Sequence, residues 1–195
     1  MARWRAEAYP ALAAEAKRVG AEVNWPDETG LRTDHAPGTG YSPRGTPPTA
    51  RVSGKRHRVS VISTLTNAGV LRFSVFAGRF TAPTLIAFLT RLLRSTTGAV
   101  FLILDGHPVH RGKRVARWAA ERADRLRLFF LPPYCPEVNP TEYLNNSVKR
   151  TVPRVKPART REGLAVQVRS YVRIAQKRKG VLRRFFKAKP VRYAA

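Results

Sequence analysis

Acidic residues are scarce in this chain, twelve Asp and Glu against 37 Lys and Arg, so each can be weighed by position. Four of them stand where elements should end or begin. Asp27 and Glu28 follow a short strand over residues 22–25, and Asp105 follows the apolar run AVFLIL directly. Glu142 lies in the first turn of a helix opened by Asn139 and Pro140. Carboxylates placed side by side repel and raise each other's pKa, and a divalent cation removes that repulsion. A set of oxygen donors without Cys or His suits magnesium or manganese better than zinc. Taken singly, each acid also has a plainer use. Asp27 behind Pro26 suits a turn, Asp105 suits a loop cap, and Glu142 behind Asn139 resembles a capping box. Glu28 reads as a neighbour of Asp27 rather than a ligand. The case for a site is the joint appearance of Asp27, Asp105 and Glu142 on elements that one topology brings together. The other eight acids, Glu7, Glu15, Glu22, Asp34, Glu121, Asp124, Glu137 and Glu162, read as solvated or ion-paired.

The elements that must position these acids follow from local pattern. Residues 3–19 read as a helix, interrupted near Pro10 and stopped at Gly20. Strand one, 22–25, ends in the turn-type sequence Pro26-Asp27-Glu28-Thr29-Gly30. A Gly/Pro-rich loop insertion is expected over about 36–57. Residues 58–65 and 70–77 alternate Val, Ile, Phe and Thr around Asn67-Ala68-Gly69, which predicts a β-hairpin. Thr81 is a good cap for a helix over 81–94. The run 99–104 reads as a strand buried on both faces, 111–123 as a helix and 126–131 as a second buried strand. Asn139 then caps a helix with Pro140 at its first position, where a missing N–H costs nothing. A hairpin followed by strand–helix–strand units predicts an α/β fold with a mixed five-stranded sheet of order 3-2-1-4-5 and flanking helices. In such sheets ligands bind near the carboxyl ends of the parallel strands.

Composition bounds the partner. The net charge is +25 on 195 residues, which calls for a polyanion, and nucleic acid is the usual one. No apolar run approaches the ~20 residues of a membrane span, and the first residues mix Arg, Glu and Lys with short apolar stretches, unlike a secretory signal. A cytoplasmic protein is expected. Cys135 is the only cysteine, so neither an internal disulfide nor a Cys-rich zinc site is available. From Lys149 onward there are sixteen Lys or Arg and one acid, Glu162. The expected division is therefore residues 1–150 as the main domain and 151–195 as a basic helical extension.

Three stretches, WPDETGLRTD (25–34), VFLILDGHPVH (100–110) and LPPYCPEVNPTE (131–142), resemble the mariner-like DDE transposases and endonucleases. The closest likeness is to their bacterial insertion-sequence branch, the six-thirty family. That resemblance implies an RNase H-like fold and DNA cleavage with strand transfer, and it makes Asp27, Asp105 and Glu142 the catalytic, metal-binding triad. It also implies two Mg2+ or Mn2+ ions, ~3.5–4 Å apart, holding the attacking and leaving oxygens. Double-stranded DNA, as element ends and target, becomes the partner, with a homodimer as one assembly and a nucleoid-associated location in a bacterium. Gly106 and Asn145 stand where many relatives have Asn and Trp. Relatives carry N-terminal helix-turn-helix modules, and no segment before Trp25 is long enough for one, so the likeness is to a catalytic half.

Glu28, His110 and Asn139 are the expected supports of the triad. Lys149, Arg150, Lys177, Arg178, Lys179, Arg183 and Arg184 are the expected contacts to DNA phosphates, which position the nucleic acid without reading its sequence. Three alternatives stand beside this reading: an RNase H-type or junction-cutting nuclease of the same fold, against which the Asn139-Pro140-Thr141-Glu142 motif argues, an inactive transposase remnant, and a non-enzymatic basic DNA-binding module.

Overall fold

The computed structural model describes residues 1–34, 41–46, 56–133, 135–155 and 158–195. Most of the expected 36–57 insertion lies outside the described residues. The chain opens with a π-helical turn, Trp4–Ala8, that runs into helix α1 (Tyr9–Val19), with Pro10 in its first turn. Gly20 ends α1 at φ +66°, a left-handed conformation that glycine adopts without strain. Five strands follow in the spatial order β3-β2-β1-β4-β5: β1 (Glu22–Arg32), β2 (Arg58–Leu65), β3 (Leu71–Phe76), β4 (Val100–Leu104) and β5 (Leu126–Phe130). β2 pairs antiparallel with both β1 and β3, and β4 and β5 run parallel to β1. The expected sheet order is the observed one.

Strand β1 corrects the sequence reading. The predicted turn at Pro26–Gly30 is absent, and the strand continues to Arg32, paired with β2 from Trp25↔Leu65 to Arg32↔Arg58. That ladder overrides the local turn propensity. The Arg58 guanidinium lies over Gly30, where a Cβ would stand 2.8 Å from Nη2 and the flexible arginine would have to swing aside. Pairing of β1 with β4 covers only Glu22–Asn24, so Pro26, which offers no N–H, lies beyond it.

Side-chain alternation sorts the two faces of the sheet. Trp25, Leu31, Phe101 and Ile103 share one core with α1, with α4 (Thr141–Val155), α5 (Arg161–Lys177) and α6 (Lys179–Phe185). Ile62, Val100, Leu102 and Leu104 face α2 (Ala82–Arg94) and α3 (Lys113–Ala120). Helix α2 begins at the expected Thr81 cap, and α3 is shorter than the 111–123 expected.

The boundary expected at residue 150 is not a break in packing. α4 runs across it, and Leu164, Val168, Val172, Leu182 and Phe186 are buried in the same core as Trp25. Several of the acids set aside above are ion-paired: Glu22 with Arg72 at 2.7 Å, Glu15 with Arg127, and Asp34 with Arg32 and Arg56. Among the described residues, no helix is long and apolar enough to cross a membrane.

Candidate active site

Asp27 is the sixth residue of β1, not a residue after its end, and it stands on the same face of the strand as Trp25. It lies three residues beyond the last β1–β4 pair, Asn24↔Leu102, and Asp105 lies three residues beyond the same pair on β4. The two aspartates are therefore level where β1 and β4 part. Glu142 arrives from above, in the first turn of α4, whose Leu144 and Val148 are packed in the core beneath. Asp27, Asp105, Asn139 and Glu142 line one cavity of about 540 Å3, together with Arg111, Cys135 and the chain from Leu131 to Pro133.

Two bonds tie the Glu142 turn to β1, and a third holds it from behind. Asn139, buried, accepts the N–H of Thr141 on Oδ1 at 3.0 Å and donates from Nδ2 to the Pro26 carbonyl at 3.4 Å. The Thr141 hydroxyl donates to the Trp25 carbonyl. Behind the turn, Tyr193 Oη donates to the Val138 carbonyl at 2.7 Å. The capping-box alternative fails, because the Asn139 N–H donates to the Pro136 carbonyl at 2.9 Å and Glu142 turns instead toward Asp27.

Each carboxylate of the triad has a partner from the protein. Asp27 Oδ1 accepts the Glu28 N–H at 2.8 Å. Asp105 Oδ1 accepts the His107 N–H at 3.0 Å and lies 2.6 Å from Nδ1 of His110. Both of these bonds fall on Oδ1, so Oδ2 is the oxygen left to a ligand. Glu142 Oε2 accepts from Asn145 Nδ2 at 3.5 Å. His110 is buried, and Phe80 packs against both its ring and that of His107, at 5.6 and 5.4 Å.

The charges respond to this crowding. Burial, then the charge of Glu142 and a hydrogen bond shared with it, then the charge of Asp105, push Asp27 well above the usual aspartate range; the Glu28 N–H opposes them. Asp105 goes the other way. Burial raises it, but the bonds from His110 and His107 outweigh burial and hold it below its ordinary value. With Asp27 turned to Glu142 and Asp105 to His110, no group of three or more His, Cys, Asp or Glu among the described residues closes around a single point as a metal site.

Of the expected supports, His110 and Asn139 are at the site. Glu28 is not a side-chain support. It pairs with Ile62, whose side chain belongs to the α2 face, so strand alternation sends Glu28 away from the pocket. Its contribution is the backbone N–H. Lys149 is half-buried on α4, and Arg150, Lys177, Arg178, Lys179, Arg183 and Arg184 are exposed. Arg183 also donates to the Ala68 carbonyl at 3.0 Å, bracing the β2–β3 turn. Arg111 and Thr141 escaped the sequence reading. The Thr141 hydroxyl was legible only as part of the NPTE stretch, and Arg111 only by its place after His110.

The sequence matches the family described as DDE superfamily endonuclease over residues 22–165. The fold is similar to the Mos1 transposase in its paired-end complex with the left transposon end, with a TM-score of 0.67 and 19% identity over 97% of this chain and 59% of that one. The catalytic domain of the Mos1 mariner transposase is similar at 0.58 and 13% identity, covering 97% of this chain and 92% of that one. A chain of the simian T-cell lymphotropic virus intasome, in complex with the PP2A regulatory subunit B56 gamma, is similar at 0.53 and 14%, covering 75% and 46%. At these identities the likeness shows the fold, the RNase H-like arrangement of transposase and integrase catalytic domains. The chain spans 59% of the longer Mos1 chain it matches. Mos1 paired-end complexes with Mn and with Mg are also similar. No protein of curated function matches the sequence.

Proposed function

Since this chain belongs to the DDE superfamily of endonucleases, we propose that its pocket cuts and rejoins DNA phosphodiester bonds as the catalytic domain of a transposase, with Asp27, Asp105 and Glu142 as the reacting centre. The observation that carries the reading is the convergence of three acids, distant along the chain, on one cavity. The setting in a bacterial insertion sequence is part of the same proposal and rests on the residue motifs.

The donor set fits a hard divalent cation. The three side chains offer carboxylate oxygens only, and the crowding that raises Asp27 is what a cation would relieve. Asp27, Asp105 and Glu142 would hold Mg2+ or Mn2+, as one ion or a pair. Bound there, the metal supplies positive charge to the attacking and leaving oxygens and eases deprotonation of water.

The chain's own groups do the rest. His110 and His107 fix Asp105 through Oδ1, which aims Oδ2 at the ligand. Asn139, Thr141 and Tyr193 fix the turn that carries Glu142. The Glu142 carboxylate orients the nucleophile and accepts its proton. In the first step a water oxygen bonds to phosphorus and the bond to the 3′ oxygen breaks, leaving a 3′-hydroxyl and a 5′-phosphate. In the second, that 3′-hydroxyl attacks a phosphorus of another duplex, forming one P–O bond and breaking one. Neither step needs a Ser or Cys nucleophile. The exposed Lys and Arg of α5 and α6 track the DNA backbone.

The test is nicking of supercoiled plasmid with Mg2+ or Mn2+, comparing the wild type with Asp105→Asn. The expected result is metal-dependent nicking by the wild type alone. Equal activity in the two proteins would end the enzymatic reading.

A further inference from the structure

A pocket lined by three acids repels the DNA backbone it must admit. Arg111 lies at its wall, exposed, on the stretch that joins the Asp105 loop to α3. Its guanidinium carbon sits 4.5 Å from the centre of the Phe130 ring, at the last residue of β5. A stacked guanidinium spends its face on the ring and keeps its in-plane N–H donors, and those donors match a phosphate bidentately. No acid competes for them: among the described residues Arg111 forms no ion pair, and Asp105 is bonded to His110 and His107 instead.

Structured elements flank it on both sides. His110, one residue before, is buried and bonded to Asp105. Gly112, one residue after, is the N-cap of α3. Phe130 continues into the Leu131–Pro133 wall of the same cavity. The cation is thus held at the wall of the cavity that the carboxylates line, and among the described residues no acid pairs with it.

We propose that Arg111 is a substrate-contacting residue, gripping a backbone phosphate of the DNA as it enters the pocket beside the scissile bond. The inference rests on the pocket being the cutting centre. It differs from the role of the α5 and α6 cations, which lie on the outer surface, because it acts where the bond is broken.

The experiment compares Arg111→Gln, Arg111→Lys and Phe130→Leu with Arg3→Gln. Arg3 is an exposed residue paired with Glu7, so its variant changes the net charge equally, away from the pocket. Plasmid nicking with Mg2+ is measured together with binding of a short blunt duplex by metal-free protein over a range of salt. Arg111→Gln should lose roughly tenfold to a hundredfold in nicking, the worth of a charged hydrogen bond. Its plot of log affinity against log salt should be shallower than wild type by about 0.9, one phosphate contact. Arg111→Lys should keep the slope and recover only part of the nicking, and Phe130→Leu should fall between wild type and Arg111→Gln. Arg3→Gln should nick like the wild type. Nicking by Arg111→Gln equal to that of Arg3→Gln, with an unchanged salt slope, overturns the assignment. A wild type that binds but never nicks removes the cutting centre, while the slope still decides whether Arg111 meets DNA.

Discussion

Replacing Asn139 by alanine removes two hydrogen bonds from one buried place. The first is the cap on α4, Oδ1 to the Thr141 N–H at 3.0 Å, worth about 1 kcal/mol. The second is the Nδ2 bond to the Pro26 carbonyl. Losing it leaves a buried acceptor unpaired, at about 1–3 kcal/mol, and the 3.4 Å length argues for the lower part of that range. Together they come to about 2–3 kcal/mol, and a domain of this size shifts by roughly 2–4 °C per kcal/mol, so the melting temperature should fall by roughly 4–12 °C. Asn139→Ser separates the two bonds, because serine caps a helix well but is too short to span to Pro26. It should melt between the wild type and Asn139→Ala. Nicking should fall further than stability predicts in both variants, since the freed turn carries Glu142. Thermal unfolding by circular dichroism, with plasmid nicking measured well below the transition, reads both effects. An Asn139→Ala protein that melts with the wild type would refute the claim that this side chain ties α4 to β1.

Asp27 should behave as a destabilising acid in metal-free protein. Its folded value is raised, so the fold binds its proton more tightly than the unfolded chain does. The stability this lends is complete below the unfolded value of about 3.9 and is lost as pH rises through the folded value. Asp27→Asn should therefore gain melting temperature over the wild type as pH rises toward neutral, and lose nicking; a pH-independent difference would contradict this. Adding Mg2+ or Mn2+ should raise the melting temperature of the wild type and not of Asp27→Asn, with equal shifts counting against a cation at this acid. Gly69→Ala should cost on the order of 1 kcal/mol or more, because φ is +78° and the new Cβ would stand 2.7 Å from the Lys179 carbonyl oxygen. Its melting temperature tests the contact between the β2–β3 turn and α6. Changing Lys177, Arg178 and Lys179 together to Gln should flatten the salt dependence of DNA binding by about 2–3 in log–log slope, if all three meet phosphates.

Local pattern carried the sequence reading wherever one element decides its own fate. The apolar run of β4 fixed Asp105 at its end, the Val/Ile/Thr alternation fixed the β2–β3 hairpin, and Asn139-Pro140 fixed the start of α4. Pairing decided the rest. Pro26 and Gly30 read as a turn by themselves, and eight rungs with β2 keep them extended. With the strand cut short, the alternation that sends Glu28 to the other face could not be seen. Glu142 fitted a capping box until the Asn139 N–H proved to belong to Pro136. The segment after residue 150 read as a basic helical extension because it carries fourteen cations and a single acid. Yet Leu164, Val168, Val172, Leu182 and Phe186 are spaced to bury one stripe, and the sheet beneath takes it. Arg111 was invisible because nothing in the sequence ties it to Phe130, nineteen positions on.

Tyr193 reaches the Val138 carbonyl, while its ring meets Tyr9 at 4.8 Å and Trp4 at 6.5 Å. Both extremities of the described chain are thereby wedged beneath the shelf that presents Glu142. Losing the Tyr193 hydroxyl alone would withdraw that wedge from the Val138 carbonyl. A Tyr193→Phe protein should then differ in turnover, although its three acids are unchanged.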